Sequence, residues 1–162
     1  HWEGDLIKGE GNASAVGTLV ERTSRLVMLV KLPQFKPASA ANVLQAFTDK
    51  LLGIAQPMRL SMTYDQGREM SMHKKLSEQT GIAVYFCDPH SPWQRGSNEN
   101  MNGLVRQYLP KGTDLSIYSQ EQLDAIADEI NNRPRKGLGI RSPLAVYREL
   151  LINNPQHSTL IH

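Results

Sequence analysis

Three apolar runs crowd together ahead of Pro33, and they constrain the fold more than any other feature. They are Trp2–Lys8, residues 14–20 and residues 26–32, the last two separated by the polar connection Glu21-Arg22-Thr23-Ser24-Arg25. Runs this short and this β-branched read as strands. The third is nearly continuous, Leu-Val-Met-Leu-Val-Lys-Leu, the pattern of a strand buried on both faces. Short loops between three strands predict an antiparallel meander.

After Pro33 and Pro37 the period changes. Ser39 is placed to cap a helix bearing Leu44, Phe47 and Leu51, closed by Gly53. Residues 58–64 read as a fourth strand, ended by Asp65-Gln66-Gly67. A helix is expected over 68–80 with Gly81 as its stop, and a fifth strand over 82–87. Asp88-Pro89-His90-Ser91-Pro92 breaks that strand. Ser97 then caps, or lies in the first turn of, a helix with the stripe Met101, Leu104, Val105, Tyr108. Ser119 and Gln122 form a capping box ahead of Leu123, Ile126, Ala127 and Ile130, and Pro134 ends that helix. Ser142-Pro143 starts a last short one. The order β-β-β-α-β-α-β-α-α predicts an α/β fold, a mixed five-stranded sheet with helices on both faces.

Composition narrows the function. The chain has 162 residues, enough for one domain with its own core. One cysteine excludes a disulfide framework and a multi-cysteine zinc site, and Cys87 with His90 and His73 falls short of four zinc ligands. No apolar run approaches the roughly 18 residues of a membrane span, and no signal peptide is evident. Eighteen Lys and Arg against sixteen Asp and Glu leave +2, which argues against a histone-like polyanion binder. Met58, Met62, Met70 and Met72 read as core filler.

Three acids stand where a core-building chain would not put them. Asp5 interrupts the first strand, Asp65 ends the fourth, and Glu99 opens an amphipathic helix. Asp is disfavoured in strands and a buried unpaired charge is costly. A divalent cation removes that cost, and carboxylates are natural ligands for Mg²⁺ or Mn²⁺. Taken singly, each acid also has an ordinary reading: a strand-end position for Asp5, a turn for Asp65, the helix dipole for Glu99. By the 3.6-residue period Glu99 points away from the Met101 stripe, and Arg106 lies two turns on near the same face, within reach of a phosphate.

The motifs together resemble a family. Trp2-Glu3-Gly4-Asp5, Thr63-Tyr64-Asp65-Gln66-Gly67, Asp88 through Asn100 (DPHSPWQRGSNEN) and Asn131-Asn132-Arg133-Pro134-Arg135-Lys136 look like bacterial insertion-sequence transposases of the IS-thirty family. The 33 residues between Asp65 and Glu99 agree with its Asp-Asp-Glu pattern, and Arg106 matches the basic residue seven after the Glu. The resemblance implies a ribonuclease H-like fold. It implies that Asp5, Asp65 and Glu99 are catalytic and hold two Mg²⁺ or Mn²⁺ ions in the DNA-bound state. It implies cleavage and strand transfer at the ends of a mobile element. The implied partner is double-stranded DNA, both element ends and target, bound by a homo-oligomer in the bacterial cytoplasm at the nucleoid.

Residues 1–162 are then expected to form a single catalytic domain, without the amino-terminal helix-turn-helix region of full-length relatives. Candidate DNA contacts are His90, Trp93, Arg95, Arg106, Arg133, Arg135 and Lys136. Loop packing competes for His90 and Trp93, and local ion pairing for Arg95. A nuclease of the same fold without strand transfer, and a non-catalytic DNA-binding module, are the alternative functions. Setting three of the sixteen acids against metal reconciles the mild net charge with a DNA enzyme.

Overall fold

The computed structural model describes residues 1–32, 40–64, 73–86 and 96–153, with the backbone alone described at 40–42, 44 and 96–99. Strand β1 (Trp2–Lys8) pairs antiparallel with β2 (Ala15–Glu21), and β2 pairs antiparallel with β3 (Val27–Lys31). On the other edge of β1, β4 (Ser61–Tyr64) runs parallel, and β5 (Ala83–Phe86) runs parallel to β4. The sheet order is β3-β2-β1-β4-β5. Parallel neighbours need crossovers. Helix α1 (Ala40–Leu52) lies between β3 and β4, and α2 (His73–Thr80) between β4 and β5. Helices α3 (Gly96–Val105), α4 (Gln120–Asn131) and α5 (Pro143–Ile152) follow.

The meander and the mixed sheet are as the sequence predicts. The region over 58–64 differs. Pro57 lacks the N–H a ladder needs and opens a 3₁₀ turn, Gln56–Met58, so the strand begins only at Ser61. The Met58 carbonyl instead accepts the Trp2 indole N–H at 2.8 Å. Ser39, the expected cap of α1, and the start of the helix expected over 68–80 lie outside the described residues, as do Met70, Met72 and Cys87. The capping box forms: Gln122 N–H donates to Ser119 Oγ, and Ser119 N–H to Gln122 Oε1. Among the described residues no helix is long and apolar enough to cross a membrane.

The pleat of β1 sends its side chains to two cores. Trp2 and Leu6 join Leu19, Val30, Phe47, Leu51, Met62 and Tyr64 under α1, α2 and α5. Ile7 joins Val16, Val27, Leu29, Met101, Val105, Leu123 and Ile130 under α3 and α4. Gly17 lets α1 come close, because a Cβ there would lie 2.9 Å from the Phe47 ring. Glu21, read as part of a polar connection, is the buried last residue of β2. Its carboxylate accepts the Thr23 N–H at 3.2 Å and the Ser24 N–H and hydroxyl at 2.6 Å each, so it builds the β2–β3 turn from inside.

Strand β3 is an edge, and its outer backbone groups need partners. Helix α4 supplies them with two carboxamides. Asn131 accepts the Val27 N–H at 2.9 Å and donates to the Val27 carbonyl at 2.9 Å. Gln120, eleven residues earlier by number, accepts the Lys31 N–H at 2.9 Å and donates to the Leu29 carbonyl at 2.7 Å. Each side-chain amide stands in for a peptide of a missing strand. Asn131→Leu removes both bonds to Val27 and is expected to cost about 2–4 kcal/mol, since two buried backbone groups lose their partners. Urea unfolding checks this; a loss below about 0.5 kcal/mol would show the clasp to be incidental.

Tyr147 of α5 meets the Trp2 ring edge-on, with centroids 6.2 Å apart. Burial, aided by the negative charge of Glu21, raises its hydroxyl pKa to about 12 from 10.0. The unfolded chain therefore releases this proton at lower pH than the native protein. The stabilising contribution is full below pH 10 and is lost as pH rises through about 12. Thermal unfolding across that window should show a decline that is shallower in Tyr147→Phe.

Candidate active site and nucleic-acid interface

Asp5 shares a face of β1 with Ile7, the face covered by α3 and α4. Its Oδ1 accepts the Leu6 N–H at 2.8 Å and its Oδ2 accepts the Asn102 side-chain N–H at 3.1 Å. Its own carbonyl accepts the Thr18 hydroxyl at 3.4 Å from the neighbouring strand. The carboxylate is thus part-buried and held in one orientation by these donors.

The parallel register sets the end of β4 alongside β1. Gly4 sits opposite Tyr64, so the chain leaves β4 for Asp65 beside the residue that precedes Asp5. Asp65 itself lies outside the described residues, as do His90, Trp93 and Arg95. Glu99 belongs to α3 by its backbone, and its side chain is not among those described. Asn102, three residues on in the same helix, is described.

Asn102 was not legible as a site residue. Its amide holds Asp5, while its Oδ1 is buried and without a hydrogen-bond partner among the described residues. An orphaned buried oxygen beside a carboxylate is a hard-donor arrangement suited to a cation. Among the described residues no three His, Cys, Asp or Glu side chains group closely enough to hold an ion. His73, considered for zinc, packs edge-on against Phe86 at 4.9 Å.

The basic candidates divide. Arg106 ties α3 to the end of β1: Nη2 donates to the Lys8 carbonyl at 2.9 Å and Nη1 to the Leu109 carbonyl at 3.3 Å. Burial lowers its pKa. Arg133 lies over the Tyr108 ring, 5.4 Å from its centroid, and also donates to the Tyr108 hydroxyl. Arg135 is half-buried and Lys136 is exposed, both in the loop between α4 and α5. Arg106→Met is expected to lose about 1–2 kcal/mol of stability, the worth of a charged group bonded to carbonyls. Denaturant unfolding measures that. Unchanged stability with weakened DNA binding would assign the side chain to a phosphate instead.

The sheet order, the two helical layers and an acid on the central strand define the ribonuclease H-like fold of integrase catalytic cores. The catalytic core domain of BIV integrase superposes with a TM-score of 0.64 over 91% of this chain and 93% of that one, at 21% identity. The integrase core domain family matches residues 1–92, and the chain belongs to that family. The transposase for insertion sequence element IS1086 of Cupriavidus metallidurans is 65% identical over 153 residues, 94% of this chain and 44% of that protein. Transposase InsI for element IS30A of Escherichia coli K12 is 50% identical over 143 residues, 88% of this chain and 36% of that protein. These relatives bear out the IS-thirty resemblance of the motifs. The chain spans less than half the length of the curated relatives named here.

Proposed function

We propose that this chain is the catalytic core of an insertion-sequence transposase. In this reading Asp5, Asp65 and Glu99 hold divalent metal, Mg²⁺ or Mn²⁺, for cleavage and joining of DNA. The observation that carries the reading is the setting of Asp5. A carboxylate interrupts the central strand, is aimed by Asn102, and lies beside the strand that runs into Asp65 and under the helix that carries Glu99. Membership of the integrase core family and relatives named as transposases support it.

The chain's own groups perform the positioning. The Leu6 N–H and Asn102 amide fix both carboxylate oxygens of Asp5, so little reorganisation is needed to present them to a cation. The buried Asn102 Oδ1 adds a further oxygen to the same locus. Asp5, Asp65 and Glu99 would hold divalent metal, which would supply activation of an attacking oxygen and stabilisation of the leaving one. In the proposed reaction water cleaves the phosphodiester at the element end and frees a 3′-hydroxyl. That hydroxyl then attacks a target phosphate and displaces the target strand's own 3′-oxygen as a hydroxyl, so one phosphodiester bond forms as one breaks, with no covalent protein intermediate. Pairing two element ends calls for several copies of the protein on DNA, and a bacterial cytoplasmic setting belongs to the same proposal.

The test uses labelled element-end duplexes with Mg²⁺ or Mn²⁺, scored for both cleavage and joining. Asp65→Asn is expected to abolish both while keeping the wild-type melting temperature. Asp5→Ala is expected to remove the heat of Mn²⁺ binding in calorimetry. An Asp65→Asn protein that cleaves at the wild-type rate would falsify the reading. Cleavage without joining in the wild type would make the protein a nuclease of the same fold.

A further inference from the structure

Arg25 lies against the loop that carries Arg135, at the end of the sheet away from Asp5. Arg25 closes the β2–β3 turn, which joins β2 at Glu21, the partner of Trp2 in the ladder. Trp2 lies three residues from Asp5 along β1, about 10 Å. The Arg25 N–H donates to the Glu21 carbonyl at 2.7 Å, and its φ is +62°. Left-handed backbone suits Gly or Asn, so an arginine there carries strain. Arg135 is fixed from the other side, its N–H donating to the Arg141 carbonyl at 3.0 Å and its carbonyl accepting the Ile140 N–H at 2.9 Å. The Arg25 guanidinium lies against Gly137, where a Cβ would stand 3.6 Å from Nη2 and 3.7 Å from Cζ.

This apposition is electrostatically unfavourable as it stands. Burial, together with the nearby positive charge of Arg25, lowers the pKa of Arg135. Arg135 Nη1 is buried and has no hydrogen-bond partner among the described residues. The ion pairs among the described residues join His1 to Glu21, Arg22 to Glu3, Lys50 to Asp124 and Arg141 to Glu149; neither arginine takes part. Residues 131–148 contain no acid at all. Backbone strain, like-charge repulsion and an unmet donor converge on one place. An oxyanion bound by both guanidinium groups would relieve the last two, and the planar fork of arginine matches phosphate oxygens.

We propose that Arg25 and Arg135 form a phosphate clamp that grips the DNA backbone outside the Asp5 site. Exposed Lys136 and Arg133 extend the positive face along the loop, which favours a polymer of phosphates over a free ion. The inference rests on the reading of the chain as a DNA enzyme, and its test needs neither metal nor catalysis.

Binding of a fluorescent duplex of unrelated sequence is measured by anisotropy over a range of KCl, without divalent metal. The proteins are the wild type, Arg25→Gly and Arg135→Gln. Each variant is expected to bind several-fold more weakly at low salt, with a log–log salt slope smaller by about 1. Arg25→Gly places at φ +62° the residue that suits it, so its melting temperature should equal or exceed the wild type's. Unchanged affinity and slope in both variants would overturn the clamp. So would weaker binding that appears only with a lowered melting temperature in Arg25→Gly. In a second arm, inorganic phosphate is added to each protein. If it raises the wild-type melting temperature alone while the DNA slopes stay equal, the clamp takes a free anion and the DNA assignment falls. Loss of the clamp leaves the triad reading standing, because Asp65→Asn tests that by cleavage.

Discussion

Strand β1 is the member on which the rest of the structure depends. It is bonded on both edges, antiparallel to β2 and parallel to β4. Its alternation delivers Trp2 and Leu6 to one core and Ile7 to the other. The same alternation leaves Asp5 on the α3 side, at the junction where the sheet changes from antiparallel to parallel. A charge in that place cannot drift: the strand is held in register on both sides, and the Leu6 N–H and Asn102 amide hold the carboxylate itself. Rigid secondary structure holds the carboxylate, which is what precise placement of a charged group requires.

The periphery is organised by polar groups that imitate backbone. Asn131 and Gln120 stand where another strand's peptides would be, so β3 ends the sheet without leaving its edge open to another chain. Lys31 does related work, its ammonium capping the Ser116 and Tyr118 carbonyls ahead of α4. Glu21 folds its turn from within. These contacts dock α4 and the β2–β3 turn, and that docking brings Arg25 against Gly137, two residues after Arg135. Asp5 and the proposed clamp therefore lie apart on one sheet, the clamp beside the turn that Glu21 folds.

Much of this was legible residue by residue. The first three strands were, because short β-branched runs bury both faces and leave little else to form. The helices were, because Ser119-Gln122 and Ser142-Pro143 announce their starts and a 3.6-residue stripe marks their buried sides. Asp5 stood out because an acid in an apolar run has no local reason to be there. Asn102, Asn131 and Gln120 gave no such signal: an amide on a helix is ordinary until a strand edge or a carboxylate is brought against it. Arg106 and Arg135 looked alike as basic residues. The fold separates them, one bonded to two carbonyls and the other left beside a second arginine.

The amino-acid order alone determined the α/β class and the element sequence and singled out three acids as candidates for a metal, since period, capping and misplaced charge are local properties of the chain. Tertiary structure decided which polar groups meet. It matched Asn102 to Asp5 across 97 positions and Asn131 to Val27 across 104. Hydrogen bonds act over about 3 Å in space and are blind to distance along the sequence. Their partners are set only when the sheet register and the two helical layers have closed.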